Sequence, residues 1–297
     1  QYQPTGDYAI KFEKEAEEGK YQYMVTDYPG TIGLRFNFIN GGTSGLMSNV
    51  KIRKAISYSI DREEMIDAVY GRYNPAYSYV APAITFNGSS YRDQVGEIME
   101  DEYNEYVGDP DKIVALFQEG LDELGVETPI EDITLTYLTS GSTTEVQAER
   151  EYIQQSLEET LGLTVELSVA GDTSLFIADR NEGNYDFFLG GWYSDYNDPL
   201  DFLYTNYTDA YGMSFGGYSN TDYDALADQL VGETDMDKRL DIYKQMEQIL
   251  LLDDCAFAPI YYATKQVLLQ NWVKDYRTSS FGASAEFIWT YIDGKNQ

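Results

Sequence analysis

"ITLTYLTSGSTTEVQAEREYIQQSLEETLGLTVELSVAG", residues 133–171, is the stretch whose reading decides the fold. "ITLTYLT" alternates apolar and polar side chains, the period of a strand with one covered face. "TEVQAEREYIQQSLEETLG" places Val146, Ile153, Leu157 and Leu161 on one helical stripe and closes on Gly162. "LTVELSVAG" alternates again, with Leu163, Val165, Leu167 and Val169 on one side. Strand, helix and strand in so short a run make a βαβ unit, which requires at least part of the sheet to be parallel.

Outward from this unit the same periods recur. "YDFFLGGW", residues 185–192, reads as another buried strand. "GTIGLRFNFIN", residues 30–40, predicts a strand with Ile32, Leu34, Phe36 and Phe38 on one face, and residues 8–21 a charged helix. The glycines of "GGTSGLMSN" are not followed by Gly-Lys-Ser/Thr, so they make no phosphate loop. In "NVKIRKAISYSIDREEMIDAVYGR", Asp61 is placed to cap a helix with Glu64 three residues on, Ile60 and Met65 to staple it, and Gly71 to end it. "GDPDKIVALFQEGLDELG" predicts a helix capped by Asp109, with Pro110 at its first position and Gly125 at its exit. Its apolar face is Ile113, Leu116, Phe117, Leu121 and Leu124. Helices follow near 221–231 and 235–252, then closing strands at "FAPIYYATKQVLL" and "AEFIWTYID". The class is α/β, with a mixed sheet flanked by helices.

Composition narrows the function. Acids number 51 and bases 20, for a formal net charge of −31, which repels phosphate backbones and anionic lipid. Nucleic-acid partners are therefore not expected. Cys255 is the single cysteine and histidine is absent, so there is no intrachain disulfide and neither a cysteine cluster nor an imidazole to hold a metal. Any catalysis would run on carboxylates, Ser, Tyr or Lys. "DYNDPLD" starts like a calcium loop but lacks the turn glycine and the distal glutamate. No cofactor is expected. The chain starts at Gln1, without a visible signal peptide, and an upstream part is expected.

In open α/β sheets ligands sit beyond the carboxyl ends of strands. Gly190, Gly191 and Trp192 fall there, with glycine permitting close backbone approach, and acids follow. Asp198 precedes Pro199 and reads as a helix cap. On the residues alone Asp195 reads as a solvated loop acid. Trp192 beside two glycines reads as a pocket wall, against the more general core reading. The tyrosines of "YGRYNPAYSY" and "YTNYTDAYG" read mostly as half-buried surface or interface residues.

Several segments together resemble the oligopeptide-binding proteins of ABC importers. They are "VKIRKAISYSIDREEMIDAVYGRYNPAYSYVAP", "DPDKIVALFQEGLDELGV", "YDFFLGGWYSDYNDPLDFL" and "DKRLDIYKQMEQILLLDDCAFAPIYYATKQVLLQNWVKDY", in the family's order. The resemblance implies a periplasmic-binding-protein-like lobe, extracellular, surface-anchored as a lipoprotein or periplasmic, that binds a short peptide and serves an ABC permease, as a monomer. It implies that residues 37–267 form the C-terminal ligand-binding lobe, that 1–36 lead in from an N-terminal lobe and that 268–297 return to it. Within the family's "GW…DY" pattern it implies that Asp195 pairs with the peptide ammonium, that Trp192 lines the pocket, and that backbone groups around Gly191 and Tyr193 bond the peptide main chain. Arg180 falls where some members carry an arginine for a peptide carboxylate, while Leu189 and Thr173 depart from the family pattern. An oligosaccharide receptor on the same scaffold, or a carboxylate-driven hydrolase, are the alternatives.

Overall fold

The computed structural model describes residues 7–208, 216–281 and 285–295. Its helices are α1 (Asp7–Glu17), α2 (Val50–Tyr58), α3 (Arg62–Met65), α4 (Tyr91–Val95), α5 (Glu100–Tyr106), α6 (Pro110–Leu124), α7 (Thr144–Leu161), α8 (Thr173–Glu182), α9 (Pro199–Leu203), α10 (Thr221–Gln229) and α11 (Met236–Gln248). The strands are β1 (Gln22–Phe36), β2 (Asn74–Pro75), β3 (Thr85–Phe86), β4 (Ser89–Ser90), β5 (Thr134–Ser140), β6 (Thr164–Ala170), β7 (Phe187–Tyr193), β8 (Phe257–Leu269), β9 (Val273–Lys274) and β10 (Tyr291–Ile292).

The βαβ unit is β5–α7–β6, and its strands pair in parallel from Thr134/Thr164 to Ser140/Ala170. β7 joins β5 in parallel, whereas β1 runs antiparallel to both β7 and β8. The sheet order β2-β8-β1-β7-β5-β6 is therefore mixed. One face carries a core that includes Ile52, Ile56, Phe117, Leu121, Ile153, Leu157 and Phe187, from α2, α6, α7 and the sheet. The other buries Phe202, Leu203, Tyr223, Tyr243, Met246 and Phe257 beneath α9, α10 and α11.

The caps fall where the sequence places them. Asp61 accepts from the Glu64 N–H at 3.0 Å and Asp109 from Lys112 at 3.2 Å; Thr143, which the sequence reading does not single out, also caps α7 by accepting from Val146 at 3.3 Å. Gly71, Gly125 and Gly162 end their segments in the left-handed region, although the turn before Gly71 has widened to π geometry over Ile66–Tyr70.

Several expectations are corrected. β1 begins at Gln22, eight residues before the predicted start, and ends at Phe36, so Phe38 is not in it. Pro29 and Gly30 look like a strand break, but they lie where the pairing with β8 shifts register between Asp27 and Thr31. β7 runs from Phe187 through both glycines to Tyr193, so Gly190, Gly191 and Trp192 lie within the strand rather than beyond its end. Leu124 and Val169, assigned to apolar faces, are 37% and 51% exposed because each lies at the outer end of its element. "AEFIWTYID" is not a strand along its length: Tyr291–Ile292 pair with Val273–Lys274 and Glu286 makes a single bridge to Arg277, while Phe287, Ile288 and Trp289 between them stand exposed. In "YGRYNPAYSY" and "YTNYTDAYG", Tyr73, Tyr204 and Tyr207 are half-buried as expected, but Tyr70, Tyr77 and Tyr79 are core residues, and the core holds tyrosines from elsewhere too. Tyr58, Tyr70, Tyr79, Tyr91, Tyr137, Tyr185, Tyr223 and Tyr243 are each almost fully buried. Tyr211 lies outside the described residues.

Candidate ligand-binding site

β7 has two different edges. Along the first it pairs with β1 over its whole length, from Gly30/Tyr193 to Phe36/Phe187. Along the second it pairs with β5 only at Tyr137/Phe187 and Leu138/Phe188. From Leu189 to Tyr193 that second edge has no strand partner among the described residues. The Asn37 N–H donates to the Asp186 carbonyl at 2.8 Å, and the Ser194 N–H to the Pro29 carbonyl at 2.7 Å. Both ends of the β1 ladder thus use even-numbered residues of this strand. Antiparallel alternation then gives β1 the backbone groups of Phe188, Gly190 and Trp192, and turns those of Gly191 and Tyr193 to the free edge, beyond the last pairing with β5.

Gly191 is required by the fold. A Cβ there would lie 1.9 Å from the Thr31 carbonyl oxygen. The close approach that its lack of a side chain permits is that of β1, not of a ligand, while its own N–H and C=O face the other way.

The chain then enters a loop fixed at several points. Besides the Ser194–Pro29 bond, the Asp195 N–H donates to Asp201 Oδ2 at 2.9 Å. Asn197 Oδ1 accepts from the Thr85 N–H at 2.8 Å, which ties the loop to the β3–β4 hairpin. Asp198 accepts from the Leu200 N–H at 2.8 Å, the predicted cap, and from the Tyr243 hydroxyl at 2.9 Å. Pro199 follows at the first helical position of α9. With the backbone on either side held, the exposed Asp195 carboxylate has no hydrogen bond or ion pair among the described residues. Trp192 is half-buried against the Phe202–Leu203 core, and its indole N–H donates to Asp201 Oδ2 at 2.8 Å. Its position is that of a half-buried side chain packed on the core.

Asp201 was not legible as a site residue. It is 1% exposed, and one of its oxygens holds both the Trp192 indole and the Asp195 backbone. In "PLDFLYTN" it looks like any acid in the first turn of a helix, and no local signal marks it. Tyr193 stays half-exposed with its ring over Gly30, where a Cβ would come within 2.3 Å of it. Trp192, Tyr193, Gly191 and Asp195 are thus brought together. Arg180, in the last turn of α8, is not with them: it lies near Tyr185, just ahead of the other end of β7.

The chain belongs to the bacterial extracellular solute-binding proteins, family 5, whose middle-region model matches residues 3–214. It is 30% identical over 249 residues to the dipeptide-binding protein DppE of Bacillus subtilis, across 83% of this chain and 42% of that one. It is also 30% identical over 234 residues to the oligopeptide-binding protein OppA of the same organism, across 77% and 39%. The solved structure of Listeria monocytogenes OppA bound to peptide superposes with a TM-score of 0.76 at 29% identity, covering 98% of this chain and 53% of that one. The chain spans about half the length, or less, of these relatives.

Proposed function

We propose that the chain is the ligand-binding lobe of a receptor that captures short peptides outside the cell and passes them to an ABC permease, without chemistry of its own. The observation that carries this reading is the free edge of β7 ending beside the uncommitted Asp195 carboxylate. A peptide laid on that edge bonds through its main chain to Gly191 and Tyr193, in a way indifferent to its side chains. Its ammonium then reaches Asp195, a charge-assisted hydrogen bond of roughly 1.5–3 kcal/mol. The names of DppE, OppA and the peptide-bound Listeria protein agree with this class of ligand. Arg180 is proposed as a partner for a carboxylate further along the ligand.

The same proposal divides the chain at 36/37 and 267/268, with residues 37–267 as this lobe. The outer half of the β1–β8 ladder and the apolar tip at Phe287–Trp289 would then face a second lobe that closes over the ligand. Isothermal calorimetry on full-length protein with tri- and tetrapeptides, set against oligosaccharides, tests the reading. Peptide binding without turnover of a labelled peptide is expected. Binding of oligosaccharide alone, or cleavage of the peptide, overturns it.

A further inference from the structure

A strand added at the free edge of β7 turns alternate side chains to opposite faces of the sheet. On one face stands Trp192 with the α9 side. On the other, shared with α7, stand Phe187, Leu189 and Tyr193. Glu149, in the second turn of α7, lies on that second face. It takes a hydrogen bond from the Tyr70 hydroxyl and lies within electrostatic range of Tyr137, Tyr193 and Tyr261. Tyr73 and Tyr261 stack face to face at 4.4 Å beside Tyr70.

The charges around it are committed elsewhere. Arg72 is held by Glu145, with one N–H···O contact at 3.0 Å, and donates to the Tyr73 hydroxyl at 2.9 Å. Arg150 donates to the Gly141 carbonyl at 3.3 Å. Glu149 therefore has no cation of its own: among the described residues it makes no ion pair, and Tyr70 is its single hydrogen-bond donor. Burial raises its carboxyl to about 7, the Tyr70 hydroxyl opposing the rise and Glu145 adding to it. The Arg72 guanidinium already stands over the rings of Tyr73 and Tyr70, at 4.5 and 5.8 Å from their centroids, so the attraction left for a further cation is that of the half-buried Glu149 carboxylate, which makes no ion pair.

We propose that Glu149 sets a preference for a cationic side chain at every second position of the bound peptide, those whose side chains turn to the α7 face. This rests on the strand-addition reading above and adds a specificity residue to it. The general negative charge of the chain would favour lysine at all positions alike, so the alternating pattern is the signature.

The test is calorimetry on full-length protein with tetra-alanine peptides carrying lysine or norleucine at one position at a time. At pH 8 lysine should be preferred by about fivefold or more at alternating positions only. Glu149→Gln should abolish that preference, and Tyr70→Phe, which removes the donor but not the charge, should keep it. In the unsubstituted protein the preference should fade from pH 8 to pH 5.5 as Glu149 takes up its proton, which serves as the deciding readout if Glu149→Gln does not fold. A preference that is uniform, absent, retained in Glu149→Gln or unchanged at pH 5.5 overturns the proposal. If peptides bind and Asp195→Asn weakens them while the lysine pattern stays flat, this inference alone fails. If no peptide binds, the strand-edge reading fails and takes it along.

Discussion

The two edges of β7 are built from alternate residues of one heptapeptide, Phe187–Tyr193, and they do opposite things. On the β1 edge the chains approach so closely that Gly191 has no space for a Cβ. On the β5 edge the neighbour leaves after Phe188, and the backbone of the last residues is left for another strand. A free edge inside a folded sheet is a liability unless something is meant to pair with it. The glycine that looks like an opening for a ligand is there for the fold, and the backbone that the fold does not use is where we propose the ligand binds.

Gly191→Val strikes the closed edge. Its side chain must displace the Thr31 carbonyl, and overpacking of this kind at backbone costs about 3 kcal/mol or more. Thermal unfolding should show a drop of many degrees or no folded protein, and an unchanged midpoint would mean that β1 does not approach as described. Next comes Asp201→Ala, which strands the Trp192 indole N–H and the Asp195 N–H. Losing a charged acceptor for two donors should cost about 2–3 kcal/mol, seen as a lower midpoint in urea together with weaker peptide binding.

Asp195→Asn acts on the open edge alone. Peptide affinity should fall at least about tenfold, or 1.4 kcal/mol, while the unfolding midpoint stays put. N-acetylating the peptide should mimic the loss in the parent and add little in the variant, and equal binding of both peptides by the parent would remove Asp195 from the site. Glu149→Gln should show a pH signature in stability. The raised carboxyl means the folded chain holds more protons than the unfolded one between pH 4.5 and about 7, so the parent loses stability as pH rises through that window. The variant lacks this loss, so its advantage should grow by about 1 kcal/mol from pH 4.5 to 7 and then level off, allowing for partial solvation. A difference independent of pH would contradict the burial of Glu149. Asp198→Asn should be the mildest, within about 0.5 kcal/mol in stability and without effect on binding, because asparagine also caps helices.

How far the sequence carried this picture depends on the range of the interactions. β5–α7–β6, the caps at Asp61, Asp109 and Asp198, and the strand before Trp192 are written in local period and turn chemistry. The early start of β1 was hidden because Pro29 and Gly30 read as a break, whereas the ladder absorbs them in a register shift. Residue 191 could be seen to need glycine, but the reason, the Thr31 carbonyl, lies 160 positions away. The pairing of Tyr70 with Glu149 spans 79 positions, and Asp201 acts through a buried oxygen that no pattern announces. Most of the buried tyrosines share one cause, although the Tyr137 and Tyr185 hydroxyls are buried without a hydrogen-bond partner. An aromatic ring with a hydroxyl looks like a surface residue until its partner is known, as with Tyr223, whose hydroxyl donates to the Leu203 carbonyl at 2.6 Å.

Trp192, bonded to Asp201 at the end of β7, also makes the molecule its own optical probe. The chain has three tryptophans, and the other two, Trp272 and Trp289, belong to the segment that follows the outer end of the β1–β8 ladder. Eight residues of strand separate Gln22 at that end from Gly30 opposite the site, roughly 25 Å. A ligand on the free edge should therefore alter the emission of Trp192, shifting it to the blue as water leaves its ring. Trp192→Phe should silence the part of that change that comes from the free edge, leaving only what a closing second lobe does to Trp289.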